Sequence, residues 1–248
     1  MSLAWSTGKV IGKTTWAPGL FTLHVSCPEV APFDPGQFLQ LGLEVDGELV
    51  HRPYSVASPH GPVLDFFIVT VPEGRLSPRL EALEVDDEIQ VSLKAAGGFV
   101  LDKASPLKDL WLFATGTGLA PYIAMLRTPR PWKSFQRIVL IHGVRQVSDL
   151  AYQQEIADWR KVHCGCFRYL PCLSREDVDG HLVGRSTCLT NDGTLEKKAG
   201  LNINADDSVV MICGNPQMLD ELENLLKDRG LSKASIRHPG NIISERYW

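Results

Sequence analysis

Short runs of apolar, β-branched or aromatic residues recur through the first hundred positions, at 8–13, 21–27, 37–43, 54–57, 64–71 and 88–93. Turn-forming residues separate them: Pro28, Pro32, Pro35-Gly36, Asp46-Gly47, Pro59 to Pro62, and Pro72 to Gly74. Strands this short at this spacing predict a small antiparallel barrel. Residues 76–83 are the exception. Ser77 can cap and Pro78 can open a short helix there.

From Leu110 onward the period changes. Residues 110–114 form a continuous apolar run, expected of a parallel strand covered on both faces. Residues 122–127 have helical spacing, and 138–142 form another apolar strand. Residues 150–162, with Leu150, Ile156 and Trp159, predict an amphipathic helix. Two further strands are predicted at 167–173 and 209–213. A last helix spans 216–229, with Gly230 at its C-terminal side. Strand and helix in alternation imply an open parallel sheet. The pattern breaks between Asp102 and Asp109, at Lys103, Pro106 and Lys108. The expectation is therefore a β-barrel domain over 1–103 and an α/β domain over 104–248.

Composition narrows the class without changing it. Of 248 residues, 44% are hydrophobic and 22% charged, enough apolar material for a sizeable core. A net charge of -4 gives no electrostatic case for nucleic acid. No apolar run approaches ~18 residues, and the first residues lack the pattern of a signal peptide. The expectation is a cytoplasmic protein with no membrane association. Six cysteines are too few for a disulfide scaffold. Cys164, Cys166 and Cys172, with His163 nearby, match no paired CxxC spacing and are read as reduced thiols, with no metal expected.

Two segments carry chemistry. Arg52-Pro53-Tyr54-Ser55 ends a β-patterned stretch, and its arginine can hold a phosphate or ring oxygen while its tyrosine stacks on an aromatic ring. Such a tetrapeptide also suits an ordinary strand edge. Gly74-Arg75-Leu76-Ser77-Pro78 adds a turn running into a helix start, where free N–H groups and the helix dipole favour an anion. In the second half, Thr115-Gly116-Thr117-Gly118-Leu119-Ala120-Pro121 follows an apolar strand and opens a helix, the context of a dinucleotide turn. Pro121 stands where a third glycine would be, and a first helical turn tolerates it.

The strand ends refine this. A NAD site of this kind places an acidic residue after the second strand, whereas an arginine there accommodates a 2′-phosphate. Residues 138–142 run into Gly143-Val144-Arg145, Ser174-Arg175 follows the next strand, and Arg185 lies ten residues on. That pattern favours NADP. Cys213 closes an apolar strand before Gly214-Asn215-Pro216. Tyr247 and Trp248, two large rings at a chain end, need something to pack on.

In this order the motifs resemble the ferredoxin–NADP reductase family, and its bacterial branch in particular. The resemblance rests on Arg52-x-Tyr54-Ser55, the Gly74-x-x-Ser77 helix start, the glycine-rich turn, Cys213-Gly214-Asn215-Pro216-Gln217-Met218 and Glu245-Arg246-Tyr247-Trp248, and it covers about 9–248. It implies an oxidoreductase passing electrons between NADPH and ferredoxin or flavodoxin through FAD. Arg52, Pro53, Tyr54 and Ser55 would hold the isoalloxazine and phosphate end of FAD, and Val69, Thr70, Gly74, Arg75, Leu76 and Ser77 its ribityl and pyrophosphate portion. Thr117 would contribute to both cofactors. Thr115, Gly116, Gly118, Ser174, Gly214 and Pro216 would line the NADP site, with Arg145, Arg175 and Arg185 toward the 2′-phosphate. Tyr54, Ser55, Cys213, Glu245 and Tyr247 would stand at the reacting rings, Tyr247 over the flavin face that nicotinamide must reach and Trp248 toward the FAD adenine.

Acidic carriers would need a basic patch, for which Arg75, Arg79, Lys103, Arg237 and Arg246 are candidates. A monomer is expected. The enzymatic alternatives are a flavin reductase or the reductase component of an oxygenase, the latter often fused to an iron–sulfur domain for which this chain has no room. A nucleotide-sensing interaction module is the alternative without turnover, and the intact motifs speak against it.

Overall fold

Six antiparallel strands form the first sheet: β1 (Trp5–Ala17), β2 (Leu20–Ser26), β3 (Phe38–Val45), β4 (Glu48–Ser55), β5 (Val63–Val69) and β6 (Glu88–Ser92). A short helix, α1 (Ser77–Ala82), precedes β6. These elements come from a computed structural model describing residues 3–105, 107–235 and 240–247. The chain divides into two compact units, Met1–Val100 with Ala120–Thr128, and Leu101–Leu119 with Pro129–Trp248.

In the first unit the strand order is β4-β3-β6-β1-β2-β5. The two ends meet just past β4, where Val56 bridges Phe66 and the Ala57 N–H donates to the Asp65 carbonyl at 2.7 Å. The sheet is thereby closed into the predicted barrel. Alternate positions face inward, so Phe21, Leu23 and Val25 of β2 join Leu39, Leu41, Phe66, Ile68, Ile89 and Val91 in one core. Helix α2 (Ala120–Leu126) belongs to this unit and is followed by Arg127, which donates to the Ala57 carbonyl at 2.9 Å and to Asp65 at 2.6 Å. Burial raises the Asp65 pKa, but bonds from His24 and Arg127 outweigh it and hold the carboxyl below its usual range.

Strand β4 corrects the expected strand at 54–57. It begins at Glu48, directly after the left-handed pair Asp46 (φ 54°) and Gly47 (φ 80°), a two-residue hairpin turn. Pro53 is tolerated within it because β4 ladders only with β3, so the missing N–H leaves no central hydrogen bond unmade.

The second unit holds six parallel strands: β7 (Asp109–Thr115), β8 (Arg137–Val144), β9 (Phe167–Leu173), β10 (Leu182–Val183), β11 (Ser208–Gly214) and β12 (Ile242–Arg246). Their order is β10-β9-β8-β7-β11-β12. The chain steps outward from β7 to β10, then returns to the other side of β7 for β11. Every residue of β11 is buried, as an apolar strand covered on both faces requires. Helices α3 (Pro129–Ser134), α4 (Gln153–Val162), α5 (Ser186–Asn191), α6 (Thr194–Ala199) and α7 (Pro216–Asp228) complete the unit. Among these, α3, α5 and α6 have six residues each, too short to show a period, and they and the edge strands β10 and β12 were not predicted. Helix α4 begins three residues later than expected, because a 3₁₀ turn at Val147–Asp149 and the left-handed Tyr152 precede it.

Candidate functional site

On β4, Val50, Arg52 and Tyr54 share one side of the strand by its two-residue period. The cross-strand partners of Arg52 and Tyr54 are Leu41 and Leu39, both buried in the core. A charged and a phenolic side chain thus stand where the barrel's apolar lining would otherwise continue. Arg52 is exposed, with Nη1 donating to the His51 carbonyl at 2.7 Å. Tyr54 is half-buried, and burial pushes its phenol up to about 12 although the Arg52 charge opposes the shift. Ser55 is buried and Pro53 exposed.

Val69 and Thr70 lie at the end of β5, with the Thr70 hydroxyl donating to Glu81 at 2.7 Å. The next turn closes through the Gly74 N–H, which donates to the Val71 carbonyl at 2.8 Å. Ser77 departs from the expected role. Its hydroxyl accepts from the Val71 N–H at 2.9 Å, and the N-cap position of α1 falls to Leu76, which offers no side-chain cap. The serine therefore ties the helix start back to the strand end. Arg75 is exposed 3.7 Å from Glu48.

In the second unit the strand order reverses between β7 and β11, and the turns after these two strands pack against each other. The Thr115 hydroxyl accepts the Asn215 N–H at 2.8 Å. A Cβ on Gly118 would lie 2.4 Å from the Cys213 carbonyl, and one on Gly214 would lie 2.2 Å from the Thr115 hydroxyl, so both positions require glycine. Gly116 to Leu119 form a 3₁₀ turn leading to α2. Such a reversal is the ligand crevice of open α/β sheets. Asn215 caps α7 by accepting from the Gln217 and Met218 N–H groups, with Pro216 in the first turn.

The arginines predicted at strand ends converge. Arg145 follows β8, Ser174 and Arg175 follow β9, and Arg185 follows β10, three neighbouring strands of the sheet. Backbone bonds hold the ends together: Ser174 N–H to Val144 O and Arg175 N–H to Arg145 O, both at 3.0 Å, and Gly184 N–H to Leu173 O at 2.8 Å. All four residues are exposed. Among the described residues, no carboxylate pairs with any of the three guanidinium groups. The nearby Glu176 accepts the Val147 N–H at 2.7 Å.

Cys213, Glu245 and Tyr247 also come together. The β11–β12 pairing sets Cys213 opposite Glu245, and the Tyr247 N–H donates to the Gly214 carbonyl at 3.1 Å. Burial first, and the Glu245 charge second, push the Cys213 thiol well above its ordinary pKa, against a bond from Tyr247. Trp248 and Arg237 lie outside the described residues. Of the other basic candidates, Arg246 is paired with Asp220, Arg79 donates to the Arg75 carbonyl at 2.7 Å, and Lys103 is exposed. Cys164 is exposed, Cys166 half-buried and Cys172 buried, and no metal-ligating group of three or more occurs among the described residues.

One residue of this site escaped the sequence reading. His142 of β8 is fully buried, and its Nε2 lies 3.1 Å from the Gly116 carbonyl. Burial pushes its pKa down to about 4. A histidine inside an apolar strand gives no sign of its partner; only the strand pairing reveals it.

Comparison with known proteins agrees with this geometry. Residues 11–97 match the oxidoreductase FAD-binding domain family, and residues 112–224 the oxidoreductase NAD-binding domain family. The flavodoxin/ferredoxin–NADP reductase of Escherichia coli (strain K12) is 45% identical over 246 residues, 98% of this chain and 99% of that protein. The ferredoxin–NADP reductase of Azotobacter vinelandii is 40% identical over 249 residues, 96% of this chain and 95% of the other. The crystal structure of a ferredoxin NADP+ reductase from Neisseria gonorrhoeae with bound FAD and NADP superposes with a TM-score of 0.94, at 27% identity and full coverage of both chains.

Proposed function

The chain belongs to the flavodoxin/ferredoxin–NADP reductase family, and we propose which of its residues perform that family's work. It is an FAD-dependent oxidoreductase linked to NADPH. When bound, FAD supplies the conversion between the two-electron chemistry of NADPH and a one-electron carrier.

The first unit fits FAD. Arg52 and Tyr54 project from the core-facing side of β4 and offer a cation and a ring where a flat, phosphate-bearing ligand would complete the apolar lining. Ser55, Val69 and Thr70 flank them, and the 74–77 turn, with Arg75 beside it, suits the pyrophosphate. Thr115 to Gly118, Gly214 and Pro216 fit a dinucleotide at the β7–β11 reversal. The observation that carries the choice of NADP is the guanidinium groups of Arg145, Arg175 and Arg185 on adjacent strand ends, with no carboxylate partner among the described residues. Cys213, Glu245 and Tyr247 orient the nicotinamide end and exclude water from it.

The carrier partner is ferredoxin or flavodoxin, and the six free cysteines favour a reducing, cytoplasmic setting. A monomer is expected from gel filtration. The test of the whole reading is NADPH-dependent reduction of cytochrome c by the flavin-loaded protein. Stimulation by added ferredoxin or flavodoxin supports it; turnover with free flavin alone would leave a flavin reductase instead.

A further inference from the structure

Among the described residues His142 is the buried histidine of the second unit's sheet, and it is wired to the turn at the strand reversal. It lies on β8 opposite Ala114 of β7. Its Nε2 is 3.1 Å from the Gly116 carbonyl, which can only accept, so the Nε2 hydrogen is donated there. A neutral imidazole has one N–H, and Nδ1 is then an acceptor. The Tyr169 hydroxyl lies 3.4 Å from Nδ1, on the same sheet face because Tyr169 sits two residues before Pro171, the β9 partner of His142. Gln153, the first residue of α4, donates to the Tyr169 oxygen at 2.9 Å and to the Ala151 carbonyl at 3.1 Å. Every hydrogen in this chain has one direction available. Gln153 aims the tyrosine hydrogen at Nδ1, and Tyr169 selects the tautomer that serves Gly116.

The carbonyl it holds matters because of the peptide geometry. Gly116 has φ +51°, and a Cβ there would meet nothing within 4 Å. Its side of the turn is open, and glycine crosses between backbone conformations with little penalty. The 116–117 peptide can therefore rotate unless something holds it. Carbonyl and N–H point in opposite directions across a trans peptide. Fixing the Gly116 carbonyl inward on His142 aims the Thr117 N–H outward, the direction a phosphate oxygen would use.

We propose that His142, oriented by Tyr169 and Gln153, is a positioning residue that locks the Gly116–Thr117 peptide for dinucleotide binding. The proposal rests on the reading of Thr115 to Gly118 as part of the NADP site. It extends that reading to side chains that touch no cofactor. Three variants test it: His142→Leu, which keeps bulk and removes both nitrogens; His142→Gln, whose Nε2 can donate to the same carbonyl; and Tyr169→Phe, which removes only the hydroxyl. The readouts are NADP affinity by difference spectroscopy, KM for NADPH against kcat, and FAD content.

His142→Leu should raise the NADP Kd and the NADPH KM about tenfold, the effect of one lost hydrogen bond. The kcat at saturating NADPH and the flavin content should hold. His142→Gln should return both constants to within about twofold of the parent, a rescue that loss of packing would not show. Unchanged affinity in His142→Leu overturns the proposal. Should that variant fail to fold, Tyr169→Phe decides, with about a threefold rise expected and no rise overturning it. Arg175→Ala runs in parallel. If it raises the NADPH KM while the His142 and Tyr169 variants do not, the NADP reading stands and this proposal falls. If no variant moves any NADP constant, both fall.

Discussion

Cys213 and Glu245 stand opposite each other in register across the parallel pair β11–β12. An acid and a thiol are thus brought together by an edge strand that closes the sheet beside the β7–β11 reversal. The thiol is fully buried, and burial raises its pKa more than the Glu245 charge does. It is therefore a neutral packing surface for a ring rather than a nucleophile.

Alkylation should report this. In the folded protein at about pH 8, iodoacetamide should label the exposed Cys164 and Cys188 first. Cys172, raised to about 12 by burial, and Cys213 should label only after unfolding. Glu245→Gln removes the smaller cause and should leave Cys213 protected. Rapid labelling of Cys213 in the native protein would contradict the burial of β11.

The strand-end arginines give a specificity prediction. Arg175→Ala should lower kcat/KM for NADPH about tenfold to a hundredfold, as expected for a lost charge-assisted bond, and leave NADH nearly untouched. Most of the loss should fall on KM, and the salt dependence of NADPH binding should weaken. An unchanged NADPH-to-NADH preference would remove Arg175 from the 2′-phosphate site.

Those arginines also show how much was legible. Arg145, Ser174 and Arg175 were visible because long apolar strands announce their own ends, and their convergence follows once the strands are neighbours. Cys213 and Glu245 were each nameable, but their pairing needed β12, five residues at a sheet edge with no period of their own. Ser77 looked like a cap because sequence shows a serine before a proline and not the Val71 N–H that claims its hydroxyl. Strand β4 was cut short because its first half, Glu48 to Arg52, mixes charged and polar residues with only Leu49 and Val50, and no apolar run marks it. His142 was hidden for a different reason. Its meaning lies in a carbonyl 26 residues away, and backbone carbonyls leave no mark in sequence.

The chain end supplies a third prediction. Tyr247 is bonded through its backbone to Gly214 and interacts with the Cys213 thiol, so its ring occupies the neighbourhood proposed for nicotinamide. Deleting Tyr247 and Trp248 should tighten NADP binding by about threefold to tenfold, the worth of a displaced ring contact. The flavin spectrum should shift as well. Equal affinity and an unaltered spectrum would take the tail out of the mechanism.

His142 makes stability depend on pH in a defined window. Its folded pKa is about 4, lowered by burial against the opposing influences of the Gly116 carbonyl and the Asp149 charge. The unfolded value is near 6.5. Between these values the unfolded chain binds the proton and the folded one does not, so stability is full above the unfolded pKa and falls as pH drops toward the folded one. From about pH 7 to about pH 5 the loss attributable to this residue is about 2 kcal/mol. Asp65, Asp158, Asp220 and Glu223, ion-pair carboxylates held below their ordinary range by their partners, overlap little with that interval. His142→Gln carries no titrating group, so its unfolding free energy should change less over the same interval, by that amount. Urea titrations of the two proteins at both pH values check it, and parallel pH dependences would mean that the imidazole is not held neutral in the fold.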